Sequence, residues 1–537
     1  MKTRVLLAIA TVAAPAGVWA QHAAPFSPRD SASHALNRLA YGPRPGEIER
    51  VARAGVLRWI DAQLAPDQID DEALAGRERE FDVLKYDRGD LARLYAEVQR
   101  ARQQRKRMGD TAADKPDDSP VAVKGRRFAA QVQQLAVVRA ALSQRQLYEV
   151  MVDFWTNHFN VYFAKGADRF LTPDYIEHTI RPHAMGKFED LLIATAKSPA
   201  MLFYLDNWES VAPGATPPVV AHARRRAWIS VGAQHAAPLP PARAPKGIKE
   251  NYARELLELH TIGVDGGYDQ HDVIEVARIF TGWSIRRPQQ GGDFEFHDWA
   301  HDTGDKQVLG IEFGRGHGMD EGIRLLKLLA NHPATIHHVS RKLCQRFVSD
   351  DPPDGCVDDA VAAWQRTRGD IREVLRAVFH GPDFWSTVNV RAKVKTPLEF
   401  VVSAARATAA DPDTTPRLAQ MVARLGEPLY LHVAPDGYPE KEEAWVNSGA
   451  LLDRMNAAVA LAAGRLPGAV ATLDSVAPVT PDPEQLIGDI DDRILGGTMS
   501  QNTKRVIAEQ LSDITDPVQA RALAVGLAIG GPEFQKQ

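Results

Sequence analysis

Only two cysteines, Cys344 and Cys356, occur in 537 residues, and at this spacing they are a weak zinc signal. Positive charge is also scarce. The 64 lysines and arginines face 69 aspartates and glutamates, a formal net charge of -5, which removes the counterion-release incentive for binding nucleic acid. Beyond the N-terminus no uninterrupted apolar run reaches the roughly 18 residues of a membrane span, so none is expected in the mature chain. No internal repeat appears, which disfavours a solenoid. Several catalytic signatures are missing: HExxH, the GxSxG elbow, the GxxxxGK[ST] phosphate loop, a GxGxxG between strand and helix, and the paired ExxH motifs of di-iron bundles.

What is present begins with an export signature. In "MKTRVLLAIATVAAPAGVWAQHAAP", Lys2 and Arg4 precede an apolar run to about Val18, and Val18 and Ala20 are the small residues before a cleavage point after Ala20. Residues 1–20 are therefore expected to be a signal peptide, and the mature chain to be periplasmic or secreted. Its removal takes two positive charges, shifting the net from -5 to -7. Cys344 and Cys356 flank a Pro-Pro-Asp-Gly turn, and in an oxidising compartment such a pair is expected to form a disulfide; two buried thiols are the alternative.

With 44% hydrophobic and 25% charged residues, the composition is that of a soluble globular protein long enough for two domains or one large helical one. Apolar residues recur at three and four in segments such as "EIERVARAGVLRWIDAQL", "NYARELLELHTIG" and "DIREVLRAVFH". Thr172-Pro173, Ser198-Pro199 and Thr396-Pro397 each place a hydroxyl before proline, a helix-start signal, and Thr396 with Glu399 spells a capping box. Gly263 is expected in the left-handed conformation after a helix, with Asp269 and Asp272 capping the next; "DGGYDQHD" lacks the ligand order of a calcium loop. The fold expected is mainly α: a large helical domain over 30–455 with long inserted loops near 105–126 and 210–247, and a small β hairpin near 290–312. Beyond a Pro-rich joint, residues 465–537 are expected to form a helical appendage.

The strings "LNRLAYGPRPGEIERV", "FWTNHFNV", "RPHAMGKFEDLLIATAKSPAMLFYLDN", "ENYARELLELHTIGVDGGY", "VARIFTGW" and "KVKTPLEFVV", in that order from about Leu36 to Arg454, resemble the bacterial family of domain of unknown function 1800. The resemblance implies a secreted, mainly helical protein, often encoded beside a second exported protein. It implies no agreed reaction, so no catalytic residue is carried over. The chain departs most from the family in 210–247 and in its cysteines.

The chemistry is approached through "EVMVDFWTNHFNVYF", residues 149–163. On a helix, Glu149, Asp153 and Asn157 share one stripe while Leu147, Met151, Phe154 and His158 share another, and the remaining residues are largely apolar. Two carboxylates at i and i+4 repel each other in such surroundings unless an arginine, a lysine or a metal ion lies beside them. A possible divalent metal is thus one of three companions. In "NYARELLELH", Arg254, Glu255, Glu258 and His260 either contribute to a shared site, or Glu250, Arg254 and Glu258 form a solvated charge ladder, with Glu255 one residue off its line and His260 complementing the helix dipole in the last turn. Arg181 and His183 are read in a loop around Pro182, where they bind a ligand or tie down carbonyls. His297, Asp298, His301 and Asp302 are a weak metal signal. Trp155, Trp208 and Trp283 are either platforms for a flat, partly apolar ligand or simply core.

Two functions are carried forward. One is an exported acid/base or metal-assisted hydrolase of an envelope or extracellular polymer, using Glu149, Asp153, His158, Arg254, Glu255, Glu258 and His260. The other is a non-catalytic protein that binds such a polymer or assembles with a second exported protein, its buried carboxylates paired with Arg181 or Arg254.

Overall fold

Helix starts fall where a short polar side chain precedes proline. Ser27, Ser119, Asp482 and Asp516 each accept a hydrogen bond from a backbone N–H of the first turn, and each is followed by proline at the first helical position. Thr396 and Glu399 form the expected capping box at the helix Pro397–Ala407, as do Asp269 and Asp272 at Gln270–Ile279. The computed structural model describes residues 26–107, 118–217, 247–466 and 468–537. The segment 1–20, read as a signal peptide, and the centres of both long loops lie outside them. Helix Arg88–Arg107 and helix Pro120–Leu142 take up both ends of the loop read at 105–126.

Among the described residues the architecture is mainly α, and the only strands make three two-stranded antiparallel sheets. Trp283–Ile285 pairs with Phe294–Phe296, and Lys306–Val308 with Ile311–Phe313, so the expected hairpin region holds two small ribbons. Among the described residues the main apolar core draws side chains from Ala35 to Phe534, and two smaller clusters, one around Phe81 and Val138 and one around Leu36 and Val51, lie beside it. The C-terminal helix Pro517–Gly530 packs along Ser448–Ala462, where Gly526 and Gly530 leave room for Val459 and Met455. No helix among the described residues is long and apolar enough to cross a membrane.

Two local readings are corrected. Thr172-Pro173 does not start a helix: Pro173 lies inside Asp168–Asp174, which runs on through the π-helical turn Tyr175–Ile180 into Arg181–His183. The wider π turn keeps the chain helical up to Pro182, so Arg181 and His183 sit on a helix rather than in a loop. The second correction concerns only the last step of the ladder Glu250–Arg254–Glu258. Arg254 meets Glu250 at 3.5 Å, as expected, and also donates to Gln270 at 2.9 Å. Helix Asn251–Glu255 then passes into a π turn at Leu256–His260, and Glu258 accepts from the Tyr268 hydroxyl at 3.3 Å instead of reaching Arg254.

Cys344 and Cys356 lie at disulfide distance, joining helix Pro333–Phe347 to helix Asp354–Thr367. Closing a loop of this length removes unfolded-state entropy worth about 3 kcal/mol. The variant C344S/C356S should lose about that much in urea denaturation, and a reductant should cost the wild type a similar amount while leaving the variant unchanged.

Candidate acid/base site

Helix Gln146–His158 divides its polar residues between separate surroundings. Glu149 is closed: both of its oxygens accept from Arg181, each at 2.8 Å, and the guanidinium also lies 5.1 Å from the Tyr148 ring centre. Arg139 is held beside this pair by Glu177 and Glu78. The companion expected for Glu149 is therefore an arginine 32 residues further along the chain.

Asp153, one turn on, has neither a hydrogen bond nor an ion pair among the described residues, and its carboxyl faces a cavity of about 40 Å³. Glu427, Glu399, Glu440, Arg346, Tyr430 and Tyr438 share that cavity. Arg346 is committed to Glu399 at 2.6 Å. Glu399 also closes the capping box and receives Gln537, and Arg346 holds its carboxyl below the usual range against the effect of burial. Burial pushes Asp153 up to about 7; Glu440 and Glu399 add to this and Arg346 opposes it. Burial likewise raises Glu427 to about 8, with Asp153 adding to the rise and the Leu398 N–H, donated at 2.8 Å, opposing it. Near neutral pH the cavity thus holds two carboxyls able to give or take a proton.

The far wall is the irregular segment 427–446, and the asparagines of "FWTNHFNV" fasten it. Asn157 gives its amide N–H to the Tyr438 carbonyl at 2.8 Å and receives the Tyr438 N–H at 2.6 Å. Asn160 donates to the carbonyls of His432 and Ala434. Gly437, at φ +74°, passes so close that a Cβ there would stand 2.4 Å from the Asn157 carbonyl oxygen. Tyr430 lines the cavity with φ +62°, a left-handed conformation that costs a bulky side chain on the order of 1–3 kcal/mol and concentrates at functional sites.

The remaining expected site residues lie elsewhere. His158 is buried, its Nδ1 accepting from Lys342 Nζ at 3.1 Å and its Nε2–H donating to the His260 carbonyl at 3.2 Å. Because the ammonium can only donate, this arrangement assigns a neutral ring, in line with burial and the Lys342 charge, which pull His158 well below its ordinary range. Burial takes His260 down to about 3, and its Nε2 meets no partner. Glu255 is raised to about 6 by partial burial and by Glu258. His183 bonds its own helix at Thr179, and Trp208 stacks on Phe203. Trp155 and Trp283 are wholly buried, the first giving its N–H to the Ala184 carbonyl, so neither offers a face to a ligand.

The weak metal signal disperses. Asp302 pairs with Arg278, His297 with Glu295, and His301 with the Thr281 carbonyl. Among the described residues, the only His/Asp/Glu trio close enough to share an ion is the exposed group Asp269, His271 and Asp272, and both its aspartates belong to the capping box.

Fold and site together define a helical protein with a carboxyl pair enclosed between a helix and an irregular wall. A family model described as protein of unknown function (DUF1800) matches residues 34–536, and the chain belongs to that family. No curated protein and no solved structure matches it. The match extends past Arg454, where the resemblance read from the sequence ends, through the C-terminal helices.

Proposed function

We propose that this chain is an exported hydrolase of an envelope or extracellular polymer, with Asp153 and Glu427 as its general acid/base pair. The observation that carries the reading is the unpartnered Asp153 carboxyl, open to a cavity that Glu427 also lines. The cavity has room for two or three water molecules, at roughly 10–15 Å³ each. With its higher pKa, Glu427 supplies the proton to the leaving group, Asp153 takes one from water, and Arg346 stabilises negative charge as it develops. The signal-like N-terminus and the cysteine pair at disulfide distance support export.

The non-catalytic reading has its own support in the closed pair Glu149–Arg181 and in Arg139, held by Glu78 and Glu177. Incubation with purified peptidoglycan sacculi and with bacterial exopolysaccharide between pH 5 and 9 separates the two. Hydrolysis predicts soluble fragments from the wild type, reduced about 10²–10⁴-fold in D153N and E427Q. Equal release by wild type and D153N removes Asp153 from the chemistry, and co-sedimentation without release supports binding instead.

A further inference from the structure

A second, larger hollow opens between helix Arg88–Arg107 and helix Pro120–Leu142, with a volume of about 750 Å³, within the range of small-molecule sites. Its floor is apolar: Leu94, Val98, Phe128, Val132, Phe163 and Leu431 face it. Most of these side chains are otherwise packed, so the hollow is a break in the core surface rather than a scatter of exposed residues. Its rim is cationic. Arg102, Arg105, Arg126 and Arg169 border the opening, and Arg169 lies 5.8 Å from the Tyr95 ring centre. Arg126 meets Asp118 at 3.4 Å, whereas Arg102 and Arg169 have no ion pair among the described residues.

The charge pattern is local. No aspartate or glutamate occurs from Val98 to Arg107, nor anywhere along Pro120–Leu142, although the chain as a whole is acidic. An apolar cleft with guanidinium groups only at its mouth selects a ligand that is apolar along its length and anionic at one end. Water inside such a cleft gains little from its walls, and an alkyl chain that replaces it removes apolar surface from water along its whole length. A carboxylate at the rim meets the planar fork that guanidinium offers.

We propose that this cleft binds a long-chain fatty acid, the alkyl chain between the two helices and the carboxylate at Arg102 and Arg169. The inference stands apart from the acid/base reading, although the wall 427–446 borders both places: Leu431 faces the cleft and Tyr430 the carboxyl cavity.

The test is displacement of a fluorescent anionic fatty-acid probe from the full-length chain by palmitate, below its critical micelle concentration. Saturable one-to-one binding is expected, at least tenfold weaker for octanoate and for uncharged hexadecanol. R102E/R169E, which alters two exposed residues, should weaken palmitate at least tenfold, and A129W, which fills the cleft, should abolish binding. Absence of saturable palmitate binding overturns the proposal. So does equal affinity for hexadecanol, or palmitate binding unchanged in folded R102E/R169E.

Discussion

Replacing Arg181 with methionine should cost this fold about 3–5 kcal/mol, the usual penalty for stranding one member of a buried ion pair. The Glu149 side chain is 5% exposed and that of Arg181 14%, and they meet through two parallel hydrogen bonds of 2.8 Å. Removal of the guanidinium leaves Glu149 beside Ala136, Ala140 and Val152, which line the same small cavity, with Arg139 already committed to Glu78 and Glu177. The double variant E149Q/R181M removes both charges and keeps similar volume, so it should recover most of the loss. Urea denaturation at pH 7 of the two single variants and the double closes the cycle, and a coupling energy below about 0.5 kcal/mol would show that the pair is not what holds these helices together.

That cycle also separates the two readings of Glu149. A carboxylate used in chemistry leaves the fold nearly intact when converted to glutamine; a carboxylate that serves as the counter-charge of Arg181 does not. The geometry assigns Glu149 to the second kind and leaves Asp153, four residues on, as the candidate for the first.

The contrast shows how far the sequence carries. Helix starts were legible at Thr396–Glu399 and Asp269–Asp272 because a cap is written within four residues. So was the need of Glu149 for a companion, since burial of its neighbours is local information; which of arginine, lysine or metal would supply it was not. The two π turns were illegible, because the apolar spacing of "NYARELLELH" fits an ordinary helix equally well and only tertiary packing decides between them. The wall 427–446 escaped for a different reason. Its path depends on Asn157, Asn160 and Tyr204, which reach it across 229 to 281 residues of chain, and its own polar, proline-bearing sequence has no period to read. Glu427 and Glu440 belong to that wall, so the partners of Asp153 stayed hidden while Asp153 itself stood out.

Titration of the carboxyl pair should leave a signature in stability even without a known substrate. Burial raises Asp153 from its ordinary 3.8 to about 7 and Glu427 from 4.5 to about 8, so between roughly pH 4 and 8 the folded chain keeps protons that the unfolded chain has released. Stability rises with pH only where the unfolded state binds more protons; here the folded state does, and the contribution, complete below about pH 4, is lost as pH climbs through 7 and 8. Other buried groups pull in the opposite direction. His34 and His260 are lowered to about 3, so they add stability as pH rises toward 6.5, and Lys395, lowered to about 7, does so above that. The difference between wild type and D153N therefore isolates the carboxyl. Asparagine stays neutral at every pH, so the variant should gain on the wild type as pH rises from 5 to 8, by up to about 1.4 kcal/mol per pH unit, and the gap should level off above 8. Because the Asp153 charge adds to the rise of Glu427, D153N should also lower the pKa of Glu427, making the pH dependence of D153N/E427Q less than the sum of the single changes. Urea midpoints of the four proteins at half-unit steps from pH 5 to 9 measure this, and parallel curves for wild type and D153N would mean that Asp153 is ionised throughout and holds no proton to transfer.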